Sequence, residues 1–391
     1  MRPNRRSAGK AKRYAALALS FLCLLTFLSG CHKEGDAAGD TGLGNGWEPT
    51  GSLPLQYAQN FGVDYYEGGY ALISLSDGTR FLTVPEGADV PEGIAPDVAV
   101  LHQPIQNIYL VATSAMCLFD ALDALDSVGL SGTQAESWYV EDARSAMEDG
   151  RIRYAGKYSA PDYELITAAG CDLAVESTMI NHVPEVKEKL EELGIPVLTE
   201  QSSFEPHPLG RTEWIKLYAV LLGKEDEAET LFDTQAEYLE EAAAQEETGK
   251  TAAFFYISAS GSVVARKSGD YVTRMIELAG GRYVFDQLGD PETATSTVTL
   301  EMEEFYRTAK DADFLIYNGA IDGGVSTLAE LVAKNGLLAD FKAVRDGNVW
   351  CTNQNMFQET TELGRMVSEL HQIFLGVAGG SDGPAYFNKL S

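Results

Sequence analysis

The chain has 391 residues, enough for two domains of ordinary size. It carries 29 basic against 58 acidic residues, a formal charge of −29, which argues against nucleic acid as a partner and against an electrostatic hold on anionic lipid. Of its five cysteines, Cys117, Cys171 and Cys351 are too scattered for a zinc pattern or a disulfide framework, and they read as small core residues.

Residues 1–30 read as an export signal rather than as part of the fold. Arg2, Arg5, Arg6, Lys10, Lys12 and Arg13 form a basic head, and Ala15 to Leu28 is an apolar run short for a membrane span. Leu28-Ser29-Gly30-Cys31 resembles the lipobox of bacterial lipoproteins, in which small residues precede a cysteine that carries lipid after cleavage. Acyl chains on Cys31 would hold the protein to the outer face of the cell membrane. Removing the six basic residues of 1–30 leaves 23 basic against 58 acidic, a charge of −35. Residues 31–52 hold Gly35, Gly39, Gly42, Gly44, Gly46 and Gly51 and read as a flexible tether, so the folded part is expected from Leu53.

The N-terminal lobe, 53–205, opens with strand-like runs at 57–61, 70–74 and 80–84, the last two joined by the hairpin signal Asp77-Gly78. Strands at 108–112, 171–175 and 195–199 then alternate with helices at 115–125, 138–148, 161–169 and 184–193. That alternation argues for a mostly parallel sheet with helices on its faces. Residues 206–249 form two helices in series. Trp214, Leu217, Tyr218, Leu221 and Leu222 mark the apolar face of the first, and Gly223 stops it. Glu225, Asp226 and Glu227 suit the positive end of the second, which Gly249 is expected to close. In 250–391 the α/β pattern repeats, with strands at 252–258, 314–317 and 348–351 and helices at 271–279, 301–310, 327–334 and 364–375. The expected fold class is α/β: two Rossmann-like lobes joined by one long helix, with a ligand cleft between them.

At this point the chain resembles the iron-complex and cobalamin class of ABC-transporter substrate-binding proteins. The resemblance rests on the order and spacing of Tyr163 to Val175, Val186 to Val197, His207 to Ile215, Leu222 to Glu229, Lys310 to Tyr317 and Phe341 to Val349. It implies a monomeric lipoprotein that captures a siderophore, haem or cobalamin between its lobes and delivers it to an ABC permease, the metal chelate being cargo rather than cofactor. It also implies one exposed acid per lobe for docking on the permease. Glu164 matches in the first lobe and Glu304 in the second, with Glu303 as the alternative.

Ligands of open α/β sheets lie beyond the carboxyl ends of the strands. That rule points to Ser114, to Lys157 and Tyr158, to Met179 and to Arg266, with Arg211 at the first turn of the central helix. Guanidinium groups suit the carboxylates of an anionic chelate, and aromatic rings cover planar ones. The alternative is a free Zn²⁺ or Mn²⁺ binder, for which His102, His182 and His207 are the candidate ligands. No Gly-x-Ser-x-Gly elbow, P-loop or His-Glu-x-x-His occurs, so no catalytic site is expected.

Overall fold

A computed structural model describes residues 43, 46–245, 247–290, 296–378 and 384–391. Cys31, the segment 1–30 and most of the expected tether lie outside the described residues. No helix among the described residues is long and apolar enough to cross a membrane.

The first five strands are β1 (Gly51–Ser52), β2 (Phe61–Tyr65), β3 (Ala71–Leu75), β4 (Arg80–Val84) and β5 (Val98–His102), and they form one sheet in that order. Its pairs are antiparallel except β4 with β5. The hairpin at Asp77-Gly78 forms, with Gly78 at φ 88° and the Asp77 carboxylate accepting from Thr79 N at 2.9 Å. Two expectations shift. The strand expected from Tyr57 starts at Phe61, because the backbone before it is taken up by buried carboxylates described below. Ordered structure also begins ahead of Leu53: β1 pairs with β2, and Trp47 packs edge-on against Tyr66 and Tyr70 at 5.8 and 5.0 Å.

The rest of the first lobe runs β6 (Ile108–Leu110), α1 (Met116–Ala121), β7 (Val128–Ser131), α2 (Glu141–Glu148), β8 (Arg153–Tyr154), the ribbon β9 (Gly156–Lys157) with β10 (Ala160–Pro161), α3 (Tyr163–Ala168), β11 (Ala174–Ser177), α4 (Pro184–Glu192) and β12 (Val197–Glu200). Its sheet has the order β12-β11-β6-β7-β8 and is parallel throughout. The helix expected from Trp138 starts three residues later, since the buried Trp138 instead donates its indole N–H to Ser131 Oγ at 3.2 Å.

Two helices then cross to the second lobe, α5 (Pro208–Leu222) and α6 (Glu225–Ala243). Gly223, left-handed at φ 67°, ends α5 and keeps the two from fusing into a single rod. Every residue of α5 except Leu222 is buried, so the apolar face read from Trp214 to Leu222 is only part of a helix enclosed on all sides. α6 stops at Ala243, six residues short of Gly249, and its 19 residues reach about 28 Å.

The second lobe contains β13 (Lys250–Ile257), β14 (Val263–Arg266), α7 (Tyr271–Leu278), β15 (Gly281–Tyr283), β16 (Thr297–Leu300), α8 (Met302–Ala309), β17 (Phe314–Tyr317), α9 (Gly319–Asp322), α10 (Leu328–Lys334), α11 (Lys342–Asp346), β18 (Val349–Thr352), α12 (Leu363–Leu375) and β19 (Phe387–Lys389). The sheet order is β16-β14-β13-β17-β18-β19, with β15 also on β13. β13, β15, β16, β17 and β18 run in one direction and β14 and β19 in the other. α12 closes over α6 at Gly364, where a Cβ would come within 2.1 Å of Gln235 O, so only glycine lets the two helices approach. Cys117, Cys171 and Cys351 are buried free thiols, as their spacing suggested.

Candidate ligand-binding cleft

The carboxyl-end loops of the two sheets meet across the hinge helix. Thr360, beyond β18, donates its hydroxyl to Ser114 O beyond β6 at 2.9 Å, and its own carbonyl accepts from Thr212 on α5 at 2.9 Å. These buried and half-buried bonds tie the first lobe, the hinge and the second lobe at one point.

On the first lobe's side, Ser114 donates to Glu200 Oε2 at 3.0 Å, and Ser202 N donates to Glu200 Oε1 at 2.9 Å. Glu200, at the end of β12, is buried and satisfied. One strand over, Glu176 is fully buried and neither of its oxygens has a hydrogen-bond partner among the described residues. Burial pushes its pKa up to about 8, so it is largely uncharged at neutral pH. Thr199, paired with it in register, is likewise buried with an unpartnered hydroxyl.

At the hinge, Arg211 is 6% exposed, its Nε has no partner, and no carboxylate among the described residues forms an ion pair with it. Its guanidinium carbon lies 4.1 Å from the centre of the Tyr271 ring. Tyr271 opens α7, whose N-cap is Asp270, with the carboxylate accepting from Val272 N at 3.0 Å. The other Asp270 oxygen accepts from Ser296 N at 2.9 Å and pairs with Arg266 Nη1 at 3.4 Å. Arg266 ends β14 with its guanidinium 5.3 Å from the Phe357 ring and 5.8 Å from the Phe254 ring. Burial alone would lower the Arg266 pKa; Asp270, together with Tyr271 and Tyr283, more than offsets it, so the net shift is upward.

Arg211 and Arg266 are thus brought together through the first turn of α7, and Ser114 sits at the pivot below them. Lys157 is exposed on the β9 ribbon, Tyr158 is half-buried against the second core of the first lobe, and Met179 is exposed in the turn after β11. No hydrogen bond or ring contact among the described residues joins these three to the arginine pair. His102 and His182 are exposed, and His207 is spent as N-cap of α5, its Nδ1 accepting from Leu209 N at 3.2 Å. Among the described residues no three His, Cys, Asp or Glu side chains are placed to hold a metal ion. The three histidines therefore do not assemble the alternative site. Glu164, Glu303 and Glu304 are all exposed. Glu164 lies ten residues before β11 and Glu304 ten before β17, which makes those two equivalent in the lobes. Phe357 lies at the end of the 352–357 stretch to which the strand-end rule points, whereas Tyr271, Asp270 and Glu176 escaped the sequence reading; Asp270 ahead of an apolar helix was the one available signal, as an N-cap residue.

The profile of the periplasmic binding protein family matches residues 111–355. Two uncharacterized lipoproteins of Methanocaldococcus jannaschii are 24% and 25% identical, over 88% and 86% of this chain and the same shares of theirs. Among solved structures, a periplasmic heme-binding protein of Pseudomonas aeruginosa aligns with TM-score 0.56 at 17% identity, over 73% of this chain and 98% of its own. A ferric-Desferal-bound siderophore-binding protein of Vibrio cholerae aligns at 0.52 and 15%, over 70% and 100%. At such identities the likeness is one of fold.

Proposed function

We propose, from the premise that the chain belongs to the periplasmic binding protein family, that it is a lipid-anchored monomer that captures an anionic iron chelate between its lobes and hands it to an ABC permease. The observation that carries the cargo's charge is Arg211, a buried cation with no counter-ion among the described residues. Taking a charge out of water costs several kcal/mol unless something pairs with it, and the acid groups of a ferric siderophore or the propionates of haem supply that pair. Arg266 with Phe254 and Phe357 adds a second cation on an aromatic bed. Heme and siderophore binding by structural neighbours supports this class, and cobalamin, a cobalt complex, is the alternative cargo. Anchoring through Cys31 is supported by the signal-like segment before it and by the lipoprotein relatives. Glu164 and Glu304, exposed at equivalent places, are the proposed docking acids.

The test is a thermal-shift screen of the full lipoprotein in detergent against ferric siderophores, haem, cobalamin, Zn²⁺ and Mn²⁺. A ligand of the folded state adds about 2.7 kcal/mol at a hundred times its dissociation constant. We expect a shift with one anionic chelate and its loss in Arg211→Met. A shift with the bare ions alone would overturn the reading. Glu164→Lys with Glu304→Lys is expected to abolish uptake while leaving affinity unchanged; lost affinity would remove these acids from the docking role.

A further inference from the structure

We propose that the segment 353–358 is a latch between the lobes, and that Phe357 couples it to Arg266; only the identity of what loads the latch rests on the cargo reading above. The segment leaves β18 anchored to its own lobe, Asn353 N donating to Tyr386 O at 2.9 Å. It then reaches the first lobe twice. Gln358 accepts at Oε1 from Tyr139 N at 2.8 Å and donates from Nε2 to Ser137 O at 2.9 Å. Gln354 donates from Nε2 to Gly323 O at 2.9 Å and accepts the Tyr139 hydroxyl at Oε1. Both amides are used at both ends, and Tyr139 is held by its backbone and its phenol together. Between the two glutamines, Phe357 turns the other way and covers the Arg266 guanidinium.

Position separates this set from the bonds around Thr360. Those are buried or half-buried and include the hinge helix through Thr212, so they form the pivot. The glutamine bonds are at the exposed rim, only a few residues earlier in the chain, where neutral hydrogen bonds exchange readily with water. A pivot with reversible bonds beside it on the rim has the mechanics of a clasp. A group that binds Arg266 displaces or compresses Phe357 and so reaches Gln354 and Gln358 through backbone two to four residues long. The lobes would then report occupancy to whatever reads their spacing.

Spin labels at Glu148→Cys and Ala339→Cys, exposed on opposite lobes, read that spacing by pulsed dipolar spectroscopy. The full chain in detergent is used, and the buried Cys117, Cys171 and Cys351 are spared. Without any ligand, the parent is expected to give one short-distance population. Gln354→Ala with Gln358→Ala is expected to add a longer one, and Phe357→Ala to do so more weakly. Melting curves confirm that each variant is folded. A double variant with the parent's distances overturns the latch, and Phe357→Ala with the parent's distances overturns the coupling. A ferric siderophore or haem that stabilises the parent is then expected to restore the short distance in the glutamine variant. If no chelate stabilises the parent, the cargo reading fails, while the ligand-free distances still decide on the latch.

Discussion

Opposite faces of the hinge helix α5 treat buried charge in opposite ways, Arg211 and Glu213 being two residues apart and so about 200° around its axis. On one face, Glu213 is fully buried and accepts from three successive backbone N–H groups, Gln56 at 2.9 Å and Tyr57 and Ala58 at 2.8 Å each. Lys216 stands 3.3 Å from it and 3.4 Å from Glu229, with its ammonium 4.4 Å from the Phe232 ring. Glu205 gathers Gln59 N, Asn60 N and the Trp214 indole in the same manner. On the other face Arg211 packs on the Tyr271 ring and has no ion-pair partner among the described residues. Satisfied charges staple the entry of the first lobe onto the hinge; the unsatisfied one is, in the function proposed above, the one left for a ligand. Breaking a staple should therefore cost the most. Glu213→Ala leaves three N–H groups and Lys216 without their acceptor, and a loss of about 3–5 kcal/mol is expected, measured by urea unfolding.

Arg211 should behave in the reverse sense. Arg211→Met removes a buried charge with no ion-pair partner among the described residues, so stability is expected to hold or rise. Affinity for the anionic chelate should fall roughly a hundredfold, about 2.7 kcal/mol, the value of a charge-assisted bond in a buried site. Titration calorimetry together with a melting curve separates the two effects. A stability loss as large as that of Glu213→Ala would make Arg211 one more staple and dissolve the contrast.

Glu176 sharpens it within the first lobe, being as buried as Glu213 yet without hydrogen-bond partners among the described residues. Its pKa rises from 4.5 to about 8 on folding, so in that window the folded state holds a proton that the unfolded state has released. Stability then falls as pH rises, by at most about 1.4 kcal/mol per unit. Glu176→Gln keeps the shape of the neutral acid and should flatten the decline between pH 6.5 and 8. An unchanged slope would mean that a partner satisfies the carboxylate.

Much of this frame was legible in local pattern. The Asp77-Gly78 hairpin, the Gly223 stop and the strand at 314–317 need only near neighbours, and the structure has all three. β7 was not legible: Val128-Gly-Leu-Ser131 has a weak strand pattern, and its place in mid-sheet depends on Asn107, whose Cα would stand 3.0 Å from a Cβ at Gly129. The same division holds in the cleft. Arg211 and Arg266 could be nominated because cations at strand ends and helix starts are visible one residue at a time. Tyr271 joins Arg211 only because α7 meets α5, a contact between residues sixty apart, and so brings in Asp270, which pairs with Arg266 four residues before it. The staples were hidden for a related reason, since Glu213 and Lys216 look like the solvent face of an amphipathic helix until the 56–60 loop covers them.

His207 gives the smallest effect and the finest test. It caps α5 through Nδ1 and stacks on Tyr57 at 4.3 Å. Burial, helped by the field of Arg274, lowers its pKa from 6.5 to about 4. Between those values the unfolded chain takes a proton that the folded one refuses, so His207 makes stability rise with pH, again by at most about 1.4 kcal/mol per unit. Glu176 pulls the opposite way over the part of that window above 4.5. From these two groups the parent should be nearly flat between pH 4.5 and 6.5, with the Glu176 decline emerging above. His207→Asn retains a capping acceptor, at a cost within about 1 kcal/mol, and removes the titration. It should expose a falling slope in that acid interval that Glu176→Gln then cancels. If the single variant stays flat there, the two carriers of opposite slope are not these residues.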